Sequence, residues 1–337
     1  MSVWGPIPRG AGIIAVMGRL AAPILVTGSH RSGTTWVGKM LARARGMSYV
    51  HEPFNPQRAP GWLGRRLPYT YLYVCRENEG AFGPLIDRVV DLRYPVLEDL
   101  PRLRSLRRLA ELSVEWPRSL AGRARRARPL LKDPFALFSA EWLADRFGAH
   151  MVVMVRHPAG FAGSLKRLSW GFDFRNWAGQ PLLLRDLLGP YQREIEAYAA
   201  HQPDLVDQAV LLWNVVHHVI LGFRERHPEW TFLVYEELAE APVEGFRSLF
   251  QGLGLPWADR VRAEVERFSS PRNRKEVPTW LHRTVKRDSR AASRTWLHRL
   301  TEEELGRIRR GTAGVARHFY GDGAWGRAET GTSGSPS

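Results

Sequence analysis

The stretch PILVTGSHRSGTTWVGKMLARA, Pro23 to Ala44, decides the fold. Its apolar run Ile24-Leu25-Val26 meets a turn rich in Gly, Ser and Thr. An amphipathic segment follows, with Trp36, Val37, Met40 and Leu41 at helical spacing. A strand, a glycine-bounded loop and a helix start form a physical recipe for holding a phosphate. Backbone N–H groups and the positive end of the helix point at the anion, and glycine lets the backbone approach closely. The familiar nucleotide loop reads G-x-x-x-x-G-K-[ST]. Gly28 and Gly33 keep that spacing, but Thr34 stands at the lysine position, followed by Thr35. Arg31, with Lys39 as a second source, supplies the charge that the absent lysine would bring. A plain glycine turn between strand and helix is the competing reading of this stretch taken alone.

Further strand-like runs each end in a chemically informative group. Met47–Val50 leads to His51-Glu52-Pro53, and Leu130-Leu131 leads to Lys132-Asp133-Pro134. MVVMV, Met151 to Val155, runs into Arg156-His157-Pro158, and Trp230–Val234 runs into Tyr235-Glu236-Glu237-Leu238. Consecutive apolar residues suit a strand covered on both faces, hence a parallel sheet. Helical patterns alternate with these runs around Ser139–Phe147, after Pro158, over roughly 182–226, through Phe250 and over Thr301–His318. The expectation is an α/β, P-loop-type fold: a central parallel β-sheet flanked by helices, with ligands at the carboxyl ends of the strands. Residues 55–95 read as irregular and lid-like. Asp91 to Arg128 reads as an arginine-studded helical region broken by Pro95, Pro101 and Pro117, and 269–295 as a basic loop. One domain over 1–327 is expected, with 55–130 as a variable acceptor region inside it and 328–337 as a disordered tail.

The chain has 337 residues with 44% hydrophobic and 25% charged, which suits a globule with a real core. A single cysteine, Cys75, excludes an intramolecular disulfide framework and favours a reducing compartment. The apolar run Ala11–Met17 is too short to span a bilayer. No signal peptide, no membrane span and a cytoplasmic location are expected. Forty-nine Lys and Arg against thirty-four Asp and Glu give a net charge of +15, which favours a polyanionic partner or an anionic membrane surface. A solvated arginine face is the alternative reading of that charge.

The strand MVVMV sharpens the choice. A nucleoside-triphosphate enzyme ends a neighbouring strand in an Asp that helps to hold Mg²⁺. Here the strand ends in Arg156, and Ser164 follows eight residues later, about two turns into the next helix. Two phosphate clamps without a metal ligand suggest a nucleotide phosphorylated at both ends. Arg156 as a simple surface ion-pair partner is the competing reading. The sequence contains no His/Cys cluster of metal-ligand spacing, so no metal is expected; His217 and His218 read as core-facing or cleft-lining.

These residues resemble a family. GSHRSGTTW is similar to the 5′-phosphosulfate loop of sulfotransferases, whose carbohydrate-modifying and bacterial members carry R-S-G-[ST]-[ST]. VVMVRHPAGFAGSLKRL resembles their 3′-phosphate element, with Arg156 and Ser164 at the matching positions. VYEELAEAPVEGFRSLFQGLGLP is similar to a later segment of the family, and brings in Tyr235. The resemblance implies 3′-phosphoadenosine 5′-phosphosulfate as donor, 3′,5′-adenosine bisphosphate as product, and no metal. It implies that Arg31, Gly33, Thr34 and Thr35, with Ser32 and Trp36 beside them, hold the 5′-phosphosulfate, and that Arg156 and Ser164 hold the 3′-phosphate. One of two basic loops would reach the 3′-phosphate or adenine: Arg272-Asn273-Arg274-Lys275, or the loop around Arg283 and Lys286-Arg287. A sulfuryl group carries less charge than a terminal phosphoryl group, so arginine, lysine and backbone dipoles can suffice.

A hydroxyl acceptor needs its proton removed as it attacks sulfur. Glu52 is the candidate base, with His51 second; a carboxylate that merely pairs with Arg31 is the alternative. Lys132 is the candidate electrostatic catalyst at the leaving oxygen, against simple pairing with Asp133. The acceptor is expected to be a small molecule, glycan or lipid: a carbohydrate, glycolipid or specialised metabolite. Nucleic acid is not expected as a partner. A P-loop kinase and a basic nucleic-acid-binding protein are the rival functions, the first weakened by Thr34 and Arg156, the second by the lack of a recognised module.

Overall fold

The computed structural model describes residues 20–99, 106–276 and 286–325. The expected tail at 328–337, the run Ala11–Met17 and Arg283 lie outside them. Five strands, β1 (Ile24–Gly28), β2 (Met47–His51), β3 (Arg128–Lys132), β4 (His150–Val155) and β5 (Thr231–Val234), pair in parallel in the order β2-β3-β1-β4-β5. β1 is the central strand. Its register sets Val26 opposite Lys132 of β3 and Gly28 opposite Met154 of β4.

The strands alternate between two hydrophobic cores, which is why apolar side chains fall on both faces, with Thr27, Ser48 and Lys132 the buried polar residues within them. Ile24, Val26, Val152 and Met154 face a core with Trp36, Met40, Phe246 and Phe250. Leu25, Val50, Val153 and Val155 face the larger core with Phe161, Trp177, Trp213 and Phe223. The helical crossovers that join parallel strands cover both faces of the sheet, which is why both faces bury apolar side chains. The helix Leu205–Arg226 has the length and apolarity to cross a membrane, yet 61% of its most apolar window is buried. It packs against the helices Pro158–Leu168 and Glu302–Ala316 as a core element.

Three regions differ from the sequence reading, the smallest being the short helix Ser289–Ser293 inside the expected loop 269–295. The stretch 55–95 contains a regular helix, Glu79–Val90, with Pro84 inside it. The helix Leu106–Ala124 also runs unbroken through Pro117. Proline removes one N–H from the helical ladder and orphans the carbonyl four residues back. Ser113 and Pro117 are both exposed, so water can take up that carbonyl. Amphipathic packing then outweighs the proline, since Leu112, Ser119 and Gly122 of the same helix are buried.

Candidate active site

After β1 the chain crosses to β2, and after β3 it crosses to β4 on the opposite side. Such a change of direction opens a crevice at the carboxyl edge of the sheet. All five strands deliver their terminal groups to that edge: the 28–33 loop from β1, His51-Glu52 from β2, Lys132-Asp133 from β3, Arg156 from β4 and Tyr235-Glu236 from β5. The loop lies between Lys132 on one side and Arg156 on the other.

The loop is closed by local bonds. Ser32 donates through both its N–H, at 3.2 Å, and its hydroxyl, at 2.6 Å, to the Ser29 carbonyl. Gly33 begins the helix Thr34–Leu41 at φ 97°, and no side chain caps it, so its first N–H groups face the crevice. A Cβ on Gly33 would stand 2.6 Å from the Tyr235 ring, so glycine is required on two counts. Thr34 is buried and Thr35 half-buried at this helix start. Trp36 lies below it, edge-on to Tyr235 and Phe246, in the core rather than the crevice. Lys39, further along the helix, is half-buried. His30 is held from the far side by Tyr71, whose hydroxyl accepts from the His30 N–H at 2.9 Å and lies 2.8 Å from Nδ1. Burial pushes that imidazole down to about 3, so it is neutral.

On the β4 side cations gather. The Arg156 guanidinium is hydrogen-bonded to the Arg31 carbonyl and lies over the Tyr235 ring, 4.9 Å from its centre. Arg31 donates from Nε to the Ser164 hydroxyl at 3.0 Å, so the two proposed phosphate clamps are joined directly. Burial, then Arg156, Arg287, Arg299 and Arg167, lower the Arg31 guanidinium to about 9. Burial also lowers Arg287 and Arg299, with neighbouring arginines adding to the effect. Glu276 pairs with Arg299 at 2.6 Å and with Arg167 at 3.5 Å, which leaves the inner part of the cluster in surplus. Arg156 Nε and Arg287 Nε are buried without a hydrogen-bond partner among the described residues. Buried donors of this kind cost free energy unless an acceptor reaches them. An anion with several oxygens fits that need.

On the β3 side charge is balanced. The Lys132 ammonium pairs with Glu52 Oε1 and is fully buried. Asn55 donates to Glu52 Oε2 at 2.8 Å, and the Glu52 N–H donates to the Lys132 carbonyl at 2.9 Å. Burial raises the Glu52 carboxyl, but Lys132, His51 and the two side-chain hydrogen bonds outweigh it and hold it at about 2. Asp133 instead accepts from the Phe54 and Phe135 N–H groups, so it fixes the turns beyond β2 and β3. Lys132 reaches Glu52 past Gly38, where a Cβ would stand 2.8 Å from the Lys132 Cγ. The lysine missing from the loop thus has a counterpart one strand away, with its stem under the loop's own helix. His51 lies 3.2 Å from the Tyr49 hydroxyl through Nδ1. Beside His51 and Glu52 opens a recess lined also by Arg58, Trp62, Glu111 and Glu115.

The structure thus brings together Arg31, Ser32, Gly33, Thr34, Thr35, Arg156, Ser164 and Tyr235, with Glu52, His51 and Lys132 adjoining. Arg272, Arg274, Lys275 and Lys286 are exposed. Among the described basic-loop residues, Arg287 is the one that enters the cluster. Arg167 and Arg299 escaped the sequence reading because nothing local marks a surface-type arginine that tertiary contacts gather. Glu236 was also missed; it is half-buried in the field of Arg156, accepting from the Tyr320 hydroxyl at 2.9 Å and the His157 N–H at 3.2 Å. Among the described residues no group of three or more His, Cys, Asp or Glu is placed to hold a metal ion.

Comparison with known proteins bears on this geometry. Residues 23–259 match the model of a sulfotransferase family. No curated protein sequence matches the chain. Among solved structures, the sulfotransferase domain from the curacin biosynthetic pathway is 14% identical, with 88% of this chain and 99% of that one covered and a TM-score of 0.45. The sulfotransferase domain of the Synechococcus PCC 7002 olefin synthase is 16% identical over 90% and 97% of the two chains, with a TM-score of 0.44. Sulfotransferase STF9 from Mycobacterium avium is 15% identical over 89% and 77%, with a TM-score of 0.43. These likenesses are too distant to carry a functional argument. The family match spans the loop, both clamps, the Glu52–Lys132 pair and the last strand, and on it the chain belongs to the sulfotransferase family.

Proposed function

We propose that the protein transfers the sulfuryl group of 3′-phosphoadenosine 5′-phosphosulfate to a hydroxyl acceptor, by in-line displacement without a metal. The observation that carries this reading is the buried surplus of arginine around a glycine-bounded loop, with guanidinium donors left unpartnered. In this reading Gly33, Thr34 and Thr35 present N–H groups to the 5′-phosphosulfate with Arg31 beside them. Arg156, Ser164 and Arg287 take the 3′-phosphate. Arg299 and Arg167 support them through the shared field. The chain works as a soluble, cytoplasmic enzyme.

Glu52 is the base, but in the donor-free protein it is masked. A carboxyl held at about 2 by Lys132 is a weak proton acceptor. When Lys132 turns to the leaving phosphate oxygen, Glu52 loses its strongest depressing partner and burial raises it, so it becomes competent. The acceptor oxygen then forms the new S–O bond as the bond to the 5′-phosphate oxygen breaks. The acceptor proton passes to Glu52, and Lys132, Arg31 and the loop N–H groups meet the charge on the leaving oxygen. His51, next to the recess, orients the acceptor.

Calorimetry of 3′,5′-adenosine bisphosphate against ATP with magnesium tests this. Micromolar binding of the bisphosphate in a chelator, weakened about 10- to 150-fold in Arg156→Ala, is the expected result. Preference for magnesium-ATP would overturn the donor assignment and favour phosphoryl transfer.

A further inference from the structure

Seven large apolar side chains are exposed among the described residues, and five of them, Leu97, Leu109, Val114, Trp116 and Leu120, fall between residues 97 and 120. Leu109, Trp116 and Leu120 stand seven and four residues apart on the helix Leu106–Ala124, so they form one stripe, exposed at 47%, 44% and 49%. Arg123 continues that stripe, and Arg125 and Arg126 follow; all three are exposed. Roughly the opposite side of the same helix turns Glu111 and Glu115 into the recess beside Glu52. Arg65, at the rim of that recess, is exposed as well.

An apolar stripe with a central tryptophan and a basic end has the chemistry of a helix lying in a lipid interface. A second copy of this chain fits poorly, because each carries a net charge of +15 and would bring the same arginines to the contact. We infer that the helix Leu106–Ala124 docks on an anionic lipid surface and that the recess it borders receives an acceptor anchored in that surface. The docking stands on this helix alone. The delivery of a lipid-anchored acceptor to Glu52 rests on the sulfotransfer reading above. The geometry then has a simple logic: one face of the helix sits in the headgroup region while the other walls the recess. A hydroxylated head group need leave the interface only by the width of a helix, about 10 Å.

The test is co-sedimentation of the full chain with vesicles of phosphatidylglycerol and phosphatidylcholine in equal parts, and with phosphatidylcholine alone. The wild type is expected to bind the anionic vesicles and to be released by salt. Leu109→Ser/Trp116→Ser/Leu120→Ser is expected to weaken binding at least about 10-fold. Arg123→Glu/Arg125→Glu/Arg126→Glu is expected to weaken it roughly 100-fold. Both variants should keep wild-type affinity for 3′,5′-adenosine bisphosphate, which also reports that they are folded. Failure of the wild type to bind anionic vesicles would overturn the inference, as would unchanged binding by both variants. A wild-type dimer that the serine variant abolishes, without vesicle binding, would assign the stripe to a second copy instead. Vesicle binding by a wild type that ignores the bisphosphate would refute the donor reading and leave the docking intact.

Discussion

On the β4 side of the loop, cations are gathered in excess; on the β3 side, one cation is matched by one carboxylate. Arg31, Arg156 and Arg287 crowd each other; Arg31 and Arg287 are held below their isolated proton affinity, and Arg156 and Arg287 keep unpartnered Nε donors. Lys132 and Glu52 satisfy each other in a buried pair. The difference separates two tasks. A surplus of buried positive charge stores unfavourable energy that an anion relieves, so it favours binding. A compensated pair stores little, but its members exchange partners when a new charge arrives, so it suits a step that must wait for the donor.

The largest expected effect is on turnover. Glu52→Gln should lower kcat about 10²–10⁴-fold while changing bisphosphate affinity little. Release of 3′,5′-adenosine bisphosphate under saturating donor and acceptor measures the first, and calorimetry the second. Equal losses in both would move Glu52 from the chemistry to the cradle.

Next comes the stability of the pair. Lys132→Met leaves a buried carboxylate without its partner and should cost about 3–5 kcal/mol, most of it recovered when Glu52→Gln is added. Denaturant unfolding of the two singles and the double measures the coupling. The pH dependence has a definite sign. Because the folded Glu52 carboxyl is depressed below its ordinary 4.5, its contribution to stability is complete above that value and is lost as pH falls through about 2. Subtracting the Glu52→Gln unfolding profile from that of the wild type should show this loss; a difference that vanished near pH 6 would contradict the pairing.

Removing a member of the surplus should act mainly on binding. Arg156→Ala is expected to cost the bisphosphate about 10- to 150-fold in affinity, the range for losing a charge-assisted hydrogen bond in a buried site. The smallest effect belongs to Gly38→Ala. Its new methyl presses on the Lys132 stem at an overpacking cost of about 1–3 kcal/mol, offset by about 1 kcal/mol of helix preference, so it should lower kcat several-fold and stability by about 2 kcal/mol or less, with donor affinity unchanged. Loss of donor affinity in that variant would mean that the helix start, not Lys132, had moved.

The sheet was legible because each strand is a short apolar run ending in a marked polar group, and a parallel sheet gathers such ends on one edge by construction. The loop, Arg156, Ser164, Glu52 and Lys132 were legible for the same reason: each lies within a few residues of a strand end or on the helix that follows one. The rest of the site comes from elsewhere. Arg299 sits beyond the last basic loop and Tyr71 in a stretch without periodicity, and each reaches the site through tertiary packing alone. The basic loops show the limit most plainly. Arg272, Arg274 and Lys275 have the stronger local charge pattern and point to solvent, whereas Arg287, at the end of a weaker one, is drawn in beside Arg31. The unbroken course of helix Leu106–Ala124 was obscured by Pro117, whose cost an exposed position reduces.

The most direct test of the two-sided account is a crystal structure of the protein with 3′,5′-adenosine bisphosphate bound. The 3′-phosphate is expected against Arg156, Ser164 and Arg287, the 5′-phosphate over Gly33, Thr34 and Thr35, and the Lys132 ammonium turned from Glu52 toward it. A nucleotide bound elsewhere, or one bound with the Lys132–Glu52 pair intact, would contradict that expectation.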